Sequence, residues 1–350
     1  MSKSYTHVLN LSKIKTHGID VQEMTAEITF TEKELADIYA DMFMIRKIED
    51  ASQVLFNEEK IRGFCHLATG QESIYAAYKH FADQKDTCTT SYRCHGLSYA
   101  TGDEPKTILA ELMGRKDGMC GGKGGSMHLY NSQFFGGHGI VGASVPLAVG
   151  TAFRHKYVNL KKGNTLDKMA AENVAFSFYG DGAANQGQIF EVYNMAGRWK
   201  LPVVFVCENN QYGMWTGVDR VSYETDFYKR GGKLPGICID HSNVFDLIGA
   251  FRFARKYVLE SQPIIIEIKT YRICTHSARD GPDFRPEIEE KKSDDVLIEY
   301  RKFISEFFSE QAIQVIEKDV ASRFEQDLAF AHQSLHPDPS NLYTNVLQKD

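Results

Sequence analysis

Two polar residues that follow predicted strands could together hold a divalent cation. Asp181 comes after the apolar run at 174–178, and Asn210 comes after the apolar run at 203–207. The distance between them is that of one strand–helix–strand unit of roughly 30 residues, in which both strand ends meet at the same edge of a parallel sheet. Mg²⁺ prefers such oxygen ligands and completes its shell with phosphate oxygens and water. The pair therefore predicts a site for a metal-bound diphosphate.

Glycine flanks Asp181 on both sides, which would let the backbone approach a phosphate closely. Gly180 and Gly182 occupy these positions, and a helix predicted to begin near Asn185 would point its positive N-terminal end at the same place. Gly-Asp-Gly alone is more often an ordinary turn. The interpretation as a binding site depends on the second strand and on the paired asparagines at positions 209 and 210.

The segment 180–214 resembles the thiamine-diphosphate motif of the E1 α subunits of 2-oxoacid dehydrogenase complexes, in which Gly-Asp-Gly is followed about 30 residues later by Asn-Asn. Four other segments, at 62–77, 91–96, 120–130 and 136–150, are similar to the pyruvate dehydrogenase type of this family. The resemblance covers about residues 30–277. It implies an α/β thiamine-diphosphate-binding fold with a doubly wound, mainly parallel sheet flanked by helices, and a C-terminal helical extension.

The resemblance also implies a role for particular residues. By position, Asp181, Asn210 and the backbone carbonyl of Tyr212 would hold Mg²⁺. Tyr92 and Arg93 would bind diphosphate oxygens, for which a planar guanidinium offers paired donors. Outside this context a Tyr-Arg pair is an ordinary surface pair. The remaining cofactor-binding positions are Gly182 and Ala183 beside the diphosphate, and the segment from Gly139 to Gly142, including Val141, whose backbone would contact the aminopyrimidine ring.

Two histidines are predicted to be catalytic by the same resemblance. His66 matches a family histidine that lines the cofactor pocket, although a solitary histidine is often only structural. His276 would lie near the diphosphate and the substrate, where it could donate a hydrogen bond or assist proton transfer near neutral pH. His128 is a weaker candidate near the active centre.

The segment around His276 departs from the family pattern. The family usually has Tyr-Arg-aromatic-His-Gly-His-Ser, whereas this chain has Cys274 and Thr275 in place of the first His and the Gly. The departure leaves the orientation of His276 open. It also puts regulation by phosphorylation of Ser277 in doubt.

Composition narrows the class of protein. The 350 residues are 43% hydrophobic and 25% charged, which is typical of a globular chain. A net charge of −6 argues against nucleic acid or an anionic membrane as partner, and the apolar runs are shorter than the roughly 20 residues of a membrane span. The seven cysteines are scattered, and the first 20 residues resemble neither a secretory signal nor a strong transit peptide. We expect a cytoplasmic protein, or a mitochondrial matrix protein if the source is eukaryotic.

The pattern of elements predicts how the site is positioned. Apolar strands at 174–178, 203–207 and 263–268 alternate with helical patterns, as in a parallel doubly wound sheet. Thr31 and Glu34 have the spacing of a capping box at the start of a long helix. The other predicted features are a functional glycine-rich loop at 114–150, a helix at 245–259, a surface loop at 272–292, and C-terminal helices at 296–324 that could pack on another subunit.

We divide the chain into three parts. Residues 1–30 are expected to form an N-terminal arm that is loose and polar over residues 1–20, residues 31–290 the thiamine-diphosphate-binding domain, and residues 291–350 the C-terminal helical extension. The length leaves room for one of the two domain types that make a thiamine-enzyme active site. In the family the other type, with the glutamate that contacts the aminopyrimidine ring, belongs to a separate E1 β subunit.

The resemblance therefore implies an α₂β₂ assembly that decarboxylates pyruvate and passes the acyl group to the lipoyl arm of an E2 acyltransferase. Acetoin dehydrogenase and other 2-oxoacid dehydrogenase α subunits share much of the pattern and stay as alternatives. A non-catalytic regulatory paralogue is a further alternative, suggested by the change at Cys274 and Thr275. A nicotinamide-binding domain is disfavoured because no GxGxxG follows a first strand.

Overall fold

A mainly parallel sheet of seven strands lies at the centre of the computed structural model, which describes residues 4–25, 27–161, 171–280 and 295–344. All neighbouring strands in this sheet are parallel except the pair at one edge, which is formed by Lys15–His17 and Gly236–Asp240. From edge to edge the strands are β2 (Lys15–His17), β10 (Gly236–Asp240), β11 (Ile264–Lys269), β7 (Val203–Asn209), β6 (Ala175–Gly180), β4 (Thr87–Ser91) and β5 (Phe134–His138).

The central strands are buried on both faces, as their continuous apolar sequences predict. Helices cover both faces of the sheet and form one hydrophobic cluster on each side. The predicted doubly wound α/β fold is confirmed. The helices are α1 (Glu32–Asn57), α2 (Glu72–Phe81), α3 (His95–Ala100), α4 (Pro105–Leu112), α5 (Ser144–Lys161), α6 (Gly187–Trp199), α7 (Val218–Val221), α8 (Val244–Glu260), α9 (Val296–Ile304) and α10 (Glu310–Gln333).

Helix α1 begins where the capping box predicted. The Thr31 amide donates to Glu34 Oε2 at 2.7 Å, and the Glu34 amide donates to Thr31 Oγ1 at 3.2 Å. Near the site, a 3₁₀ turn occupies Ala183–Asn185, and helix α6 begins at Gly187 rather than near Asn185. This helix therefore starts about half a turn further from Asp181 than expected.

The N-terminal segment is not a loose arm, and that prediction was wrong. Strand β1 (Ser4–Val8) pairs antiparallel with β3 (Glu27–Thr31), and β2 extends the central sheet. Leu9, Ile14 and Met24 are buried in the core. Apolar residues spaced along a polar segment are enough to attach it, because each one removes surface from water. The boundaries of the three predicted parts stay predictions.

The C-terminal helices pack on their own chain: α10 lies against α4 and α1, and the Tyr300 hydroxyl in α9 donates to the Leu35 carbonyl. That they also pack on another subunit stays a prediction. One other expectation needs correction. The described part of the predicted surface loop is buried at Arg272, His276 and Ser277 and exposed at Ile273; the rest of that loop, at 281–292, lies outside the described residues. Within the described residues, no helix combines the length and apolar composition that a membrane crossing requires.

Candidate active site

A cavity of about 490 Å³ opens where β4, β6 and β7 end. This is the edge at which parallel α/β sheets bind ligands. Of the segment predicted to contact the aminopyrimidine ring, Ile140 and Gly142 do not line this cavity. Apart from these two and the weaker candidate His128, the residues that the sequence analysis placed at the catalytic, cofactor or metal site line it, although the roles assigned to them stay predictions. These residues are His66, Tyr92, Arg93, Gly139, Val141, Asp181, Gly182, Ala183, Asn210, Tyr212 and His276.

The expected pair of metal-binding residues lies together at the cavity. The register that pairs Gly180 with Glu208 brings the ends of β6 and β7 side by side. Asp181 is 3% exposed. Burial raises the pKa of its carboxyl to about 6 from 3.8, although backbone hydrogen bonds, including that of the Asn210 amide, oppose the rise. A bound cation would stabilise the charged form of this buried carboxyl.

The turn after β6 also fits close approach by a ligand. Gly182 and Gly213 lie next to each other, and a Cβ on Gly182 would be in van der Waals contact with the Cα of Gly213, at 3.4 Å. Two backbone turns therefore meet at the cavity without intervening side chains. This is the arrangement in which main-chain groups can contact phosphate oxygens.

Three rings and a guanidinium form one wall of the cavity. The ring centroids of His66 and Tyr92 are 4.3 Å apart, and that of His276 lies 5.4 Å from His66 and 5.7 Å from Tyr92. Arg93 donates to the carbonyls of Leu67, at 2.6 Å, and His276, at 2.7 Å. Its Nη2 also lies 3.3 Å from His276 Nδ1. Because arginine can only donate, the proton of a neutral His276 ring belongs on Nε2.

Arg93 thus does more than the sequence predicted. It lines the cavity and also fixes the segment that carries His276. In that segment Cys274 Sγ donates to the Leu67 carbonyl at 3.3 Å, and Thr275 Oγ1 donates to the Ser277 carbonyl at 2.7 Å. The two residues that depart from the family pattern therefore hold the loop in place.

The environments of the predicted catalytic histidines differ. The pKa of His66 falls to about 2, because burial and the neighbouring positive charge of Arg93 both disfavour its protonated form. His66 is therefore neutral at physiological pH. His128 lines a separate pocket with Cys120 and Tyr130, so the structure does not bring this weaker candidate to the main cavity.

Sequence reasoning missed several polar residues at the cavity. Gln71, Thr90, Ser91 and Glu208 also line it. Burial raises the pKa of the Glu208 carboxyl to about 7, while Tyr75 and Arg93 oppose the rise. The only signal for Ser91 and Glu208 was their position at the ends of strands, beside residues that were predicted. Gln71 follows a turn far away in the sequence, and only the fold brings it here.

Several buried polar atoms at the cavity have no hydrogen-bond partner among the described residues. They are His66 Nδ1, Gln71 Oε1, Ser91 Oγ and Glu208 Oε1. Buried polar groups are almost always paired, so a cluster of exceptions in one cavity indicates a polar ligand. In the described part of the chain no group of three or more His, Cys, Asp or Glu side chains could hold a metal. A cation at Asp181 would therefore need ligand oxygens, and a diphosphate supplies them.

The fold and this site are those of a cofactor-dependent α/β enzyme, and comparison with known proteins identifies its class. The family model described as "Dehydrogenase E1 component" matches residues 40–340. The chain belongs to this family, and membership implies the use of thiamine diphosphate.

Curated relatives narrow the family to one branch, the pyruvate dehydrogenase E1 component subunits alpha. The mitochondrial subunit of Schizosaccharomyces pombe is 41% identical over 353 aligned residues, which cover 98% of this chain and 83% of the relative. The subunit of Rickettsia conorii is 40% identical over 325 residues, covering 90% of this chain and 96% of the relative. The mitochondrial subunit of Solanum tuberosum is 41% identical over 342 residues, covering 95% and 84%.

Proposed function

We propose that this chain is the α half of an E1 enzyme that oxidatively decarboxylates pyruvate and transfers the acyl group to the lipoyl arm of an E2 acyltransferase. The observation that carries the proposal is the meeting of Asp181 and Asn210 at one cavity, at the carboxyl ends of adjacent parallel strands. When bound there, thiamine diphosphate supplies an electron sink for the pair of electrons left by the loss of CO₂.

The chain's own residues would bind the cofactor by its charged end. The Asp181 carboxylate, the Asn210 side chain and the Tyr212 carbonyl would hold Mg²⁺, which in turn binds the diphosphate. Arg93 and Tyr92 would contact diphosphate oxygens. The backbone at Gly182 and Ala183 would lie beside the same group, and that at Gly139 and Val141 beside the aminopyrimidine ring.

His276 would act at the reacting end of the cavity. With its Nδ1 facing Arg93, the neutral ring can donate from Nε2 to a developing negative charge or assist a proton transfer. His66 would stay neutral and present an uncharged ring to the cofactor. Its unpartnered Nδ1 can accept or donate one hydrogen bond, depending on the tautomer.

The side chains at the rim of the cavity support the proposal that another subunit binds there. Large apolar side chains that are 38–75% exposed lie at or beside the cavity: Phe64, Val141 and Met214 line it, and Ile140 and Trp215 are the sequence neighbours of Val141 and Met214. Exposed apolar residues gathered around a site mark a surface that another protein covers. We propose that an E1 β subunit closes the cavity here, in an α₂β₂ assembly of the cytoplasm, or of the mitochondrial matrix if the source is eukaryotic.

The test is reconstitution. The chain alone, with Mg²⁺ and thiamine diphosphate, should release little CO₂ from pyruvate, and addition of the β subunit should restore activity. Full activity of the chain alone would refute the requirement for a partner. Turnover of the reconstituted pair on pyruvate, 2-oxoisovalerate and acetoin identifies the substrate: faster turnover of acetoin or of the branched substrate would replace the pyruvate assignment. A pair that binds the cofactor but turns over none of them would favour a regulatory paralogue.

A further inference from the structure

The glycine-rich loop that follows helix α4 is organised around one buried carboxylate. Glu111, near the end of α4, has no exposed surface. Its Oε2 accepts the amides of Cys120 and Gly122, both at 2.9 Å. Its Oε1 accepts the amides of Gly124, at 2.7 Å, and Gly125, at 3.3 Å. One side chain thus satisfies four partly buried backbone donors that a tight loop would otherwise leave without an acceptor.

Several glycines of this loop are required by the position of that carboxylate. A Cβ on Gly118 would lie 2.3 Å from Glu111 Oε2. A Cβ on Gly124 would lie 2.1 Å from the His128 carbonyl oxygen and 3.2 Å from Glu111 Oε1. Gly122 has a φ of +76°, which favours glycine on its own account. The loop therefore wraps the carboxylate in bare backbone.

The same loop leads directly into the wall of the cavity. Met127 lines the cavity, and the preceding residue, Ser126, is tied to the segment that carries Arg93. His95 Nε2 lies 2.8 Å from Ser126 Oγ, and His95 Nδ1 lies 3.0 Å from Glu49 Oε2. Cys94 Sγ donates to the Ser126 carbonyl. Two buried carboxylates thus fix the chain before Met127. Glu111 holds the loop at 118–125, and Glu49 acts on Ser126 through His95.

We propose that Glu111 is a positioning residue for the cofactor, and that it sets the cavity wall at Met127 by holding the loop at 118–125. The inference rests on the proposed function of the cavity. Glu111 does not touch the cavity itself, so it acts only through the backbone it holds. Its effect should therefore fall on cofactor affinity much more than on the chemical step.

Glu111→Gln tests this role with almost no change in shape. Either orientation of the amide places an NH₂ group against two backbone N–H donors, which leaves both without an acceptor. In the reconstituted pair, the KM for thiamine diphosphate should rise about 10-fold, as with other supporting residues around a cofactor, while kcat at saturating cofactor changes less than about 3-fold. Amide hydrogen exchange at 120–125 should accelerate in the absence of cofactor.

The matched control is Asp86→Asn, which alters another buried carboxylate that accepts a backbone amide. Asp86 lies at the amino end of β4, away from the cavity. It should leave the KM for thiamine diphosphate unchanged. Ser126→Ala is a milder second variant in case Glu111→Gln does not fold, and should raise the same KM about 3-fold by removing the tie to His95. Equal KM shifts for Asp86→Asn and Glu111→Gln, or none in Glu111→Gln and Ser126→Ala, would overturn the positioning role alone. A wild-type pair that binds no thiamine diphosphate would overturn both this inference and the proposed function.

Discussion

The buried polar groups at the amino ends of the central strands differ in their hydrogen bonding from those at the carboxyl ends. At the amino end of β4, Asp86 accepts the Val174 amide at 2.9 Å and the Arg255 guanidinium at 2.6 Å and 3.1 Å. Beside it, Thr87 Oγ1 lies 3.0 Å from His155 Nε2. At the carboxyl end, Ser91 Oγ and Glu208 Oε1 are buried without a partner among the described residues.

The difference separates stability from binding within one sheet. An unpartnered buried polar group destabilises a fold by about 1–3 kcal/mol, whereas a paired one is neutral or favourable. Among the described residues, four of these unpartnered buried atoms lie at the cavity, where a polar ligand would pair them, and others, such as Ser177 Oγ, lie elsewhere. At the amino end of β4, Asp86 and Thr87 complete their hydrogen bonds within the chain. Substitutions at the carboxyl ends of the strands should therefore lower activity but not stability, and substitutions at the amino ends should lower stability but not activity.

The largest effect is expected for Asp181→Asn. Loss of the charge that is proposed to hold the metal should lower kcat/KM of the reconstituted pair on the order of 1,000-fold. The free energy of unfolding of the cofactor-free chain at pH 7 should stay the same or rise. The folded pKa of about 6 lies above the ordinary 3.8, so this group stabilises the fold only when protonated, below about pH 4, and that contribution is lost as the pH rises through 6.

Urea unfolding of the cofactor-free chain measures the second half of this prediction. Glu267→Gln provides a control at another buried carboxylate, whose oxygens accept the Asn209 amide group and the Tyr228 backbone amide. A clear loss of stability in Asp181→Asn would mean that its carboxylate is a structural group, and the contrast between the two edges would fail.

Asp86→Asn should show the reverse profile. Removing one partner of a buried, hydrogen-bonded ion pair leaves the Arg255 charge uncompensated and should lower the free energy of unfolding by about 3 kcal/mol. The activity of the folded fraction should be unchanged, because Asp86 lies at the edge away from the cavity. Urea unfolding and turnover per folded molecule test the two parts, and a loss of turnover would place the amino edge within the catalytic machinery.

The same contrast explains which parts of the molecule the sequence could predict. Asp181 and Asn210 were found because each directly follows an apolar strand, and the rule for parallel sheets then brings the strand ends together. Ser91 ends β4, whose sequence Thr-Cys-Thr-Thr-Ser has no apolar run to mark it as a strand, and Glu208 lies within β7 just before the paired asparagines. Gln71 lies in the segment 62–77 that resembles the family, but the resemblance assigned it no role.

The N-terminal segment shows the limit for the fold itself. Strand β2 has only three residues, Lys15–His17, and none of them is buried. Its place at the sheet edge depends on pairing with β10, more than 200 residues away. Local composition favoured a loose arm because such a pairing leaves no periodic pattern in so short a segment. Helices α1 and α8 and strands β6, β7 and β11, by contrast, carry strong patterns and were predicted correctly. Strand β4 was missed, and strand β5 and the start of helix α5 lie within the segment 114–150 that was predicted to be a loop.

A smaller effect of pH is expected at the amino edge. Burial, with a further contribution from Arg154, lowers the pKa of His155 to about 4 from 6.5. A histidine with a depressed folded pKa stabilises the fold above its unfolded pKa, and this stability is lost as the pH falls from about 6.5 through 4. The loss should be about 2 kcal/mol. His155→Gln should abolish that portion of the pH dependence, measured by urea unfolding from pH 7 to 4, and an unchanged slope would exclude His155 as the source.

The smallest effect separates the two edges at the level of single hydroxyls. Ser91→Ala removes a buried hydroxyl that has no partner among the described residues, so the free energy of unfolding of the cofactor-free chain should stay the same or rise by up to about 1 kcal/mol. Affinity for thiamine diphosphate should fall about 5-fold, because the bound ligand then loses the hydrogen bond that this hydroxyl would make.

The matched control is Ser73→Ala, at an equally buried serine whose Oγ donates to the His241 carbonyl at 2.9 Å. That variant should lose about 1 kcal/mol of stability, since it leaves the carbonyl without this donor, and should bind the cofactor normally. Urea unfolding and a calorimetric titration with thiamine diphosphate in the presence of the β subunit compare the two. If the two substitutions lower the free energy of unfolding equally, Ser91 is hydrogen-bonded within the chain itself. The cavity then offers one polar group fewer to its ligand.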